Sequence, residues 1–550
     1  VINQKQYVEL EKAGGDFSSD ALLSVLVQNG AVTKDQASTL AKGQAVPGAP
    51  AVAAAGAAPA KDAPKQDSFV HLNEKGLEFG SNDGNFKMKI GGRMQVDSEI
   101  NWNPQTINTA AGTGSAPQQT QLSNGVGLRR ARLYTEGVLY HDYEFRFEYD
   151  FARNWGGTSG ITDAYVKYIR FAPFSVTVGQ QNEGKSMDSV QSNNYMSFIE
   201  RSLPNNAFIE ASSNSKYQLG ITAQMFDKAW GVPYVFNGGL TTVSMGYPTM
   251  SANPNATATS NTNQCFNTSN TNGGAGCQTN NTNGYSGNAT YQLVGRGVVL
   301  PYKDDEGNLV HLGAWGSGRT LTNTLNSNGT IRNGGWQFAS APDTTVDRTN
   351  FVNTYNMSYV NSVNGKTYLA QHVNMFGAEL AGVYGPVWTQ NEFMWANVTG
   401  QNYTGNNAVQ GFYTSAGWFI TGETRPYDDK KGTFNRVIPK SNFTSGQGGW
   451  GALELAARYD LIDLNTKSKG GQIQGGAMDI GTLGLNWYMT PRVRLMTNWV
   501  HVFSVNNGGA PTGGSCAGGS APNGNTSATG VGCFNGVTPN IWETALRMDF

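Results

Sequence analysis

Apolar and polar residues alternate with a period of two along most of the chain after Ser68. In residues 143–151 every second residue is aromatic, and the residues between them are Glu, Arg, Glu and Asp. Alternation of this kind places the two sets on opposite faces of a β-strand. Segments of about ten residues have the length that a tilted strand needs to cross a bilayer. The pattern predicts an all-β fold whose strands have one apolar and one charged face.

The same alternation recurs in segments 86–97, 216–225 and 453–460, and in the last ten residues, which end in Phe550. A final strand that ends in an aromatic residue is typical of the closing strand of an outer-membrane barrel. Short connections alternate with long polar ones, such as 246–288, which is typical of a barrel with short turns at one end and long loops at the other. We therefore predict a transmembrane antiparallel β-barrel.

The first 67 residues have a different pattern. In residues 1–42, apolar positions at helical spacing and a capping Asp20 predict a small N-terminal helical segment. Residues 43–67 are rich in Ala and Pro and predict a flexible linker, so residues 68–550 form the barrel. The helical segment has too short an apolar stripe for an isolated coiled coil. A spacer, a trimeric coiled coil supported by the barrel and a contact with peptidoglycan remain open for it.

Composition agrees with this organisation. Only 14% of the residues are charged and 38% are apolar, whereas 70 residues are Gly. There is no run of 18 consecutive apolar residues, which excludes a transmembrane helix from the sequence. The formal net charge of -1 provides no overall basic field, so nucleic acid is not an expected partner.

Four cysteines occur as two local pairs, Cys265 with Cys277 and Cys516 with Cys533, each within a Gly/Asn/Ser/Thr-rich segment. We predict two loop disulfides, with free thiols or a metal site as the alternatives. The five histidines are scattered, and the chain has no GxSxG, HExxH or P-loop motif. We therefore expect no enzyme activity, no cofactor and no resident metal.

Nine stretches, in order between residues 70 and 550, resemble the phosphate-selective porin O/P family. Each motif is weak alone, but their number and order make the resemblance specific. They are KIGGRMQ (89–95), RRARL (129–133), EYDFAR (148–153), ITDAY (161–165), ERSL (200–203), VHLG (310–313), TGETR (421–425), ELAARY (454–459) and TLGLNWY (482–488).

The resemblance implies a barrel of about 16 strands, assembled as a homotrimer in the lipid of the bacterial outer membrane, with one loop folded into each lumen. We expect that loop at residues 179–203 and the N-terminus in the periplasm. The implied function is passive diffusion of small hydrophilic solutes and ions, with a preference for anions. Two other classes stay open: an envelope-anchoring or surface adhesin barrel with little conductance, and a soluble all-β carbohydrate-binding protein.

The resemblance also implies the residues of the pore. Arg129 and Arg130 match paired arginines of the family, and Asp163 matches an acidic residue at the constriction. Adjacent strand residues point to opposite faces, so we assign Arg130 to the lumen and Arg129 to the trimer seam or the rim, unless a bulge intervenes. Ser189 stands where the family has a phosphate-binding lysine, and Lys185 is a nearby substitute. The full set of expected pore-lining residues is Lys87, Lys89, Arg93, Arg129, Arg130, Arg132, Asp163, Lys185 and Arg201.

Overall fold

The computed structural model describes fifteen stretches of the chain. Residues 1–67, which include the predicted helical segment and the linker, and all four cysteines lie outside the described residues. The described stretches are 68–73, 76–102, 107–109, 118–120, 122–153, 160–210, 216–242, 291–321, 324–325, 331–333, 336–361, 364–444, 448–467, 472–506 and 534–550.

The described residues form a closed antiparallel barrel of 16 strands, as predicted. Each strand pairs with the next along the chain, and the last strand pairs with the first. The strands are β1 (Phe86–Trp102), β2 (Gly125–Leu139), β3 (Tyr143–Asp150), β4 (Ile161–Tyr168), β5 (Phe174–Asn182), β6 (Tyr217–Ala229), β7 (Val232–Thr242), β8 (Tyr291–Lys303), β9 (Leu309–Thr320), β10 (Thr367–Tyr384), β11 (Val387–Gln401), β12 (Ala408–Phe419), β13 (Ala452–Asn465), β14 (Gln474–Tyr488), β15 (Val493–Asn506) and β16 (Asn540–Asp549).

Shorter elements lie between the strands. A hairpin of Ser68–Asn73 and Gly76–Ser81 precedes the barrel, and its second strand pairs with the start of β1. The others are the strand pairs Ile107–Thr109 with Gln118–Thr120, Thr324–Leu325 with Ile331–Asn333, Ala339–Ser340 with Val352–Asn353 and Tyr427–Asp428 with Thr433–Phe434, the strand Tyr359–Val360, and the helical turns Phe151–Arg153, Met187–Val190, Asn193–Tyr195, Leu203–Asn205 and Asn206–Glu210.

Closure depends on the last residues of the chain. The pairing of β16 with β1 extends from Asn540 opposite Trp102 to Asp549 opposite Arg93. Phe550 then exchanges two backbone hydrogen bonds with Gly92, at 3.0 and 3.1 Å. We call the end of the barrel that contains Phe550 the C-terminal rim and the other end the opposite rim.

The predicted alternation matches the two faces of the barrel wall. In β3, Phe147 is exposed on the outside, whereas its neighbour Glu148 is buried on the inside. The same division holds in β13, where Leu455 is exposed and Glu454 is buried. Among the residues that the structure describes, no helix has the length and hydropathy needed to span a membrane.

Three connections fold into the barrel. Residues 183–210 and Lys216, between β5 and β6, belong to the first infolded loop, and residues 336–361, between β9 and β10, belong to the second infolded loop; both come from the opposite rim. Residues 420–444 and 448–451, between β12 and β13, belong to an infolded turn that comes from the C-terminal rim. The expectation that connections at this rim are short is wrong for 420–451.

The first infolded loop begins later than predicted. Residues 179–182 belong to β5, because Gly179 and Asn182 pair with Gly220 and Tyr217 of β6. The loop therefore begins at Glu183, and its described residues continue to Glu210, beyond the predicted end at Leu203.

Candidate functional site: the inner wall of the barrel

The first infolded loop packs against one side of the inner wall, formed by β11–β16. The Asp188 backbone N–H donates to Glu392 Oε1 of β11 at 2.7 Å. On β16, the Arg547 guanidinium donates to the carbonyl oxygens of Asn193 at 2.7 Å and Ile199 at 2.6 Å. Because the loop has little regular structure, these wall side chains satisfy backbone groups that would otherwise be buried without partners.

The second infolded loop is bound to β1 and β13. Glu99 Oε2 of β1 accepts hydrogen bonds from three consecutive backbone N–H groups, those of Thr345, Val346 and Asp347, at 2.7–3.2 Å. Asp343 forms an ion pair with Arg458 of β13. A carboxylate that accepts three backbone hydrogen bonds fixes the orientation of the loop and also provides partners for its buried N–H groups.

The two loops share an apolar core. Phe208 of the first infolded loop and Phe338 of the second contact each other edge to face, with ring centroids 5.1 Å apart, and Trp336 packs on Phe338. All three rings are almost completely buried inside the barrel. The loops therefore form one packed unit on this side of the lumen.

The infolded turn is bound through a buried arginine. The Arg425 guanidinium lies 2.9 Å from Glu454 Oε1 of β13 and stacks over the rings of Trp388 and Phe434, at 4.1 and 4.5 Å from their centroids. It also donates to the Tyr195 carbonyl oxygen of the first infolded loop at 2.8 Å. The turn thus supports the loop from the C-terminal rim.

Partly exposed charged side chains remain on the inner wall of β1–β4, although the loops cover Glu99 of β1 and contact Arg129 of β2. Inward side chains of β11–β16, such as Glu392 and Glu454, are almost fully buried. By contrast, Arg93, Arg146 and Asp163 keep 12%, 18% and 16% of their side-chain surface exposed. A passage for solute is therefore expected along β1–β4.

Eight charged side chains form a balanced cluster on this wall, which we call the lumen charge cluster. Four are cations and four are carboxylates, and they come from all four strands. Its members are Lys89, Arg93, Arg132 and Arg146 with Glu136, Glu148, Asp150 and Asp163.

Glu148 is at the centre of the lumen charge cluster. Its carboxylate contacts the guanidinium groups of Arg93 at 3.0 Å, Arg132 at 2.7 Å and Arg146 at 2.5 Å. Only 1% of the Glu148 side chain is exposed, and its carboxylate contacts all three guanidinium groups. The alternation in the sequence places Glu148 on the inner face, but it contains no signal that three arginines from three strands converge there.

Arg129 and Arg130 both lie on the lumen side of β2. Arg130 pairs with Gln95 and Leu128 with Val96, so that Arg129 is the extra residue of a β-bulge. Its guanidinium makes two hydrogen bonds with Glu200 of the first infolded loop, at 2.7 and 3.2 Å. The bulge is the exception that the sequence left open, and Arg129 contacts the first infolded loop instead of lying at the seam or the rim.

Glu200 remains ionised in this position. Burial by itself would raise its pKa, but Arg129 and then Arg348 outweigh burial and hold the pKa of Glu200 at about 2. In the same loop, Lys216 and Arg201 hold the pKa of Glu210 well below its ordinary value, against burial. The loop therefore carries two paired carboxylates, Glu200 and Glu210, that are ionised near neutral pH.

The other expected pore residues are in different environments. Lys87 is exposed on β1 near the C-terminal rim. Lys185 is 2% exposed and lies 2.5 Å from Glu183, and Arg201 is equally buried, with Glu210 at 2.8 Å. Ser189 is buried, and its backbone N–H donates to Ser186 Oγ. Within the described residues, no group of three or more His, Cys, Asp or Glu side chains is arranged to hold a metal ion.

Comparison with known proteins assigns the family. A family model described as phosphate-selective porin O and P matches residues 97–513. The chain belongs to this family. It is therefore a porin, and its place is the outer membrane.

Two relatives of this porin match most of its length. Porin O of Pseudomonas aeruginosa is 22% identical over 451 residues, which cover 78% of this chain and 86% of that protein. An uncharacterized protein of Caulobacter vibrioides is 28% identical over 460 residues, which cover 82% of this chain and 75% of that protein.

Solved porin structures are more distant. OmpT, an outer membrane protein of Vibrio cholerae, has a TM-score of 0.41 at 10% identity, covering 85% of this chain and 98% of its own. OprB of Pseudomonas putida has a TM-score of 0.40 at 9% identity, covering 85% and 95%. At these TM-scores neither structure adds to the family assignment.

Proposed function

We propose that this porin is a passive channel for small hydrophilic solutes and ions, with a weak preference for anions and no enzyme activity. The observation that carries the proposal is the group of partly exposed charged side chains on the inner wall of β1–β4, in a barrel whose inner wall of β11–β16 is covered by infolded segments. Partly exposed charged groups on one wall keep water along it, because dry packing of so many charges would be costly.

A weak anion preference follows from the cations outside the lumen charge cluster. Lys87 is exposed near the C-terminal rim. The Arg130 guanidinium donates to Gln95 Oε1 at 2.6 Å, and Gln95 is a neutral partner. Within the lumen charge cluster itself the cations and carboxylates cancel, so the preference is small.

Strong phosphate selectivity is not part of the proposal. Phosphate binding requires several cations whose hydrogen-bond donors are available. Ser189 replaces the family's lysine and is buried, and the Lys185 ammonium is already paired with Glu183. We therefore propose that phosphate passes as one anion among others.

The test is the reversal potential of the purified protein in a planar bilayer under a KCl gradient, repeated with added phosphate. We expect stable conductance steps, a small anion-selective potential and no block by phosphate. A phosphate block would show that another set of cations binds it. Complete absence of conductance would favour the envelope-anchoring or adhesin alternative.

We also propose a homotrimer in which β3–β5 face the neighbouring copies. The described strands β3 and β4 have 8 residues each and β5 has 9. At about 3.3 Å per residue and a tilt of about 40°, eight residues reach only about 20 Å along the membrane normal, less than the ~25 Å apolar band of such barrels. A wall this short matches a protein neighbour better than lipid. Light scattering of the detergent-solubilised protein tests the mass of the assembly.

For residues 1–67 the proposal rests on the sequence alone. We propose that residues 1–42 are a periplasmic extension joined to the barrel by the linker 43–67, with peptidoglycan as one partner. Limited proteolysis of intact assemblies should remove this extension and leave the barrel. A pull-down with purified peptidoglycan, with and without the extension, tests the contact.

A further inference from the structure

Glu148 has a central position among the arginines that could determine whether the pore prefers anions or cations. Arg93, Arg132 and Arg146 come from three different strands, yet all three donate hydrogen bonds to this one carboxylate. Arg132 also contacts Asp150, and Arg146 also contacts Glu136 and Asp163. For Arg93 the described ion pair is the one with Glu148.

We propose that Glu148 is a selectivity-determining residue, which keeps the pore nearly neutral by occupying the guanidinium groups of Arg93, Arg132 and Arg146. This inference rests on the proposed function of a conducting pore and adds the residue that limits its anion preference. Glu148 acts through the arginines, since its own side chain is screened from the lumen.

Two physical effects of Glu148 act in the same direction. Its charge lies within 3.0 Å of each guanidinium group and is almost fully buried, so that salt in the lumen screens it less than an exposed charge. It also accepts hydrogen bonds that the arginines would otherwise offer to a passing anion. Loss of the carboxylate should therefore raise the local positive charge and free donors simultaneously.

Glu144 offers a matched control on the same strand. It lies four residues before Glu148 in β3, on the same inner face, and is opposite Lys167 of β4. Its side chain is more exposed than that of Glu148. Glu144→Gln and Glu148→Gln each remove one lumen carboxylate, so a simple count of charges predicts equal effects for both.

The experiment measures the chloride-to-potassium permeability ratio from reversal potentials in planar bilayers. We expect Glu148→Gln to raise the ratio roughly fivefold and Glu144→Gln to raise it less than about 1.5-fold, because an exposed charge is screened by salt. Glu148→Asp, which retains the carboxylate, should stay near the wild-type ratio. Equal shifts in the two Gln variants would overturn the proposal.

A second variant keeps the proposal testable if Glu148→Gln does not fold. Arg93→Gln removes one of the three guanidinium groups and leaves Glu148 in place, so the ratio should fall below that of the wild type. An unchanged ratio in Arg93→Gln would contradict the role of the cluster. If the wild type shows no conductance, the porin function itself fails; if it conducts but the ratios do not separate, only the inference about Glu148 fails.

Discussion

At the scale of single residues, the inner wall is organised by buried carboxylates that each accept several hydrogen bonds. Glu148 binds three arginines, Glu99 binds three backbone N–H groups, and Glu454 accepts from Arg425, Ser197 and Trp388. A buried charge is tolerated only when such partners replace the lost water. Removing one partner should therefore cost more than removing an exposed ion pair.

A pH dependence follows from Glu200. Its pKa in the folded protein, about 2, lies below the ordinary value of 4.5. The Arg129–Glu200 pair therefore stabilises the folded protein fully when the pH is above the ordinary pKa of a glutamate. This contribution to the free energy of unfolding is lost as the pH falls through about 2. Glu200→Gln should lower the free energy of unfolding by about 2 kcal/mol at pH 7. In this variant the free energy of unfolding should also decrease less than in the wild type as the pH falls.

Denaturant titrations in detergent at several values between pH 7 and pH 2 measure this effect. The wild-type and Glu200→Gln curves should converge towards the acid end, while Glu144→Gln should follow the wild type. Parallel curves over the whole range would mean that Arg129 does not stabilise the Glu200 carboxylate.

At the scale of elements, the infolded segments and the wall depend on each other. The second infolded loop is oriented by Glu99, whereas Glu543, directly opposite Glu99 on β16, is equally buried and has no hydrogen-bond partner among the described residues for either carboxylate oxygen. Two buried carboxyls lie side by side, but the described contacts of the loop are made by one of them. Substituting each of the two residues therefore distinguishes the effect of releasing the loop from the effect of removing a buried carboxyl.

We therefore expect Glu99→Gln and Glu543→Gln to behave differently. Glu99→Gln weakens three charge-assisted hydrogen bonds to the second infolded loop, so the loop should move more and the single-channel current should become larger or noisier. Glu543→Gln removes a carboxyl without partners and should leave the current unchanged. Single-channel recordings in planar bilayers compare the two, and identical recordings would contradict a specific role of Glu99.

At the scale of the whole molecule, the barrel wall has unequal heights. The strands β3–β5 are the short part, whereas β9 and β10 have 12 and 18 residues. Both parts have exposed apolar side chains on the outside, including Val166 on β4 and Leu312 on β9. If copies of the protein meet at β3–β5, the outer face of these strands contacts protein, whereas the outer face of β9 and β10 contacts lipid.

Substitution by arginine distinguishes these two surfaces. Val166→Arg should convert trimers into monomers, because a charge then lies in the interface between copies. Leu312→Arg should preserve the trimer and lower the stability of the barrel by about 2 kcal/mol, as for a charge on a lipid-facing site. Light scattering in detergent reports the mass. Loss of trimers in Leu312→Arg alone would place the interface at β9 instead.

The sequence by itself determined the barrel, because a period of two needs only local information. The pleat of a single strand decides that Phe147 faces the membrane and Glu148 the inside. The alternation in the last ten residues of the chain predicts the closing strand. The resemblance to the family added the number of strands. Boundaries were less accurate where long connections fold inward, as for the first infolded loop.

Only the tertiary structure decided which charges meet. The bulge that turns Arg129 inward depends on pairing between β1 and β2, and the convergence of arginines on Glu148 depends on the register of neighbouring strands. The infolded turn 420–451 is held by buried contacts such as that of Arg425 with Glu454. These interactions join residues far apart in the chain, so no local pattern records them, whereas the face of each strand is a local property.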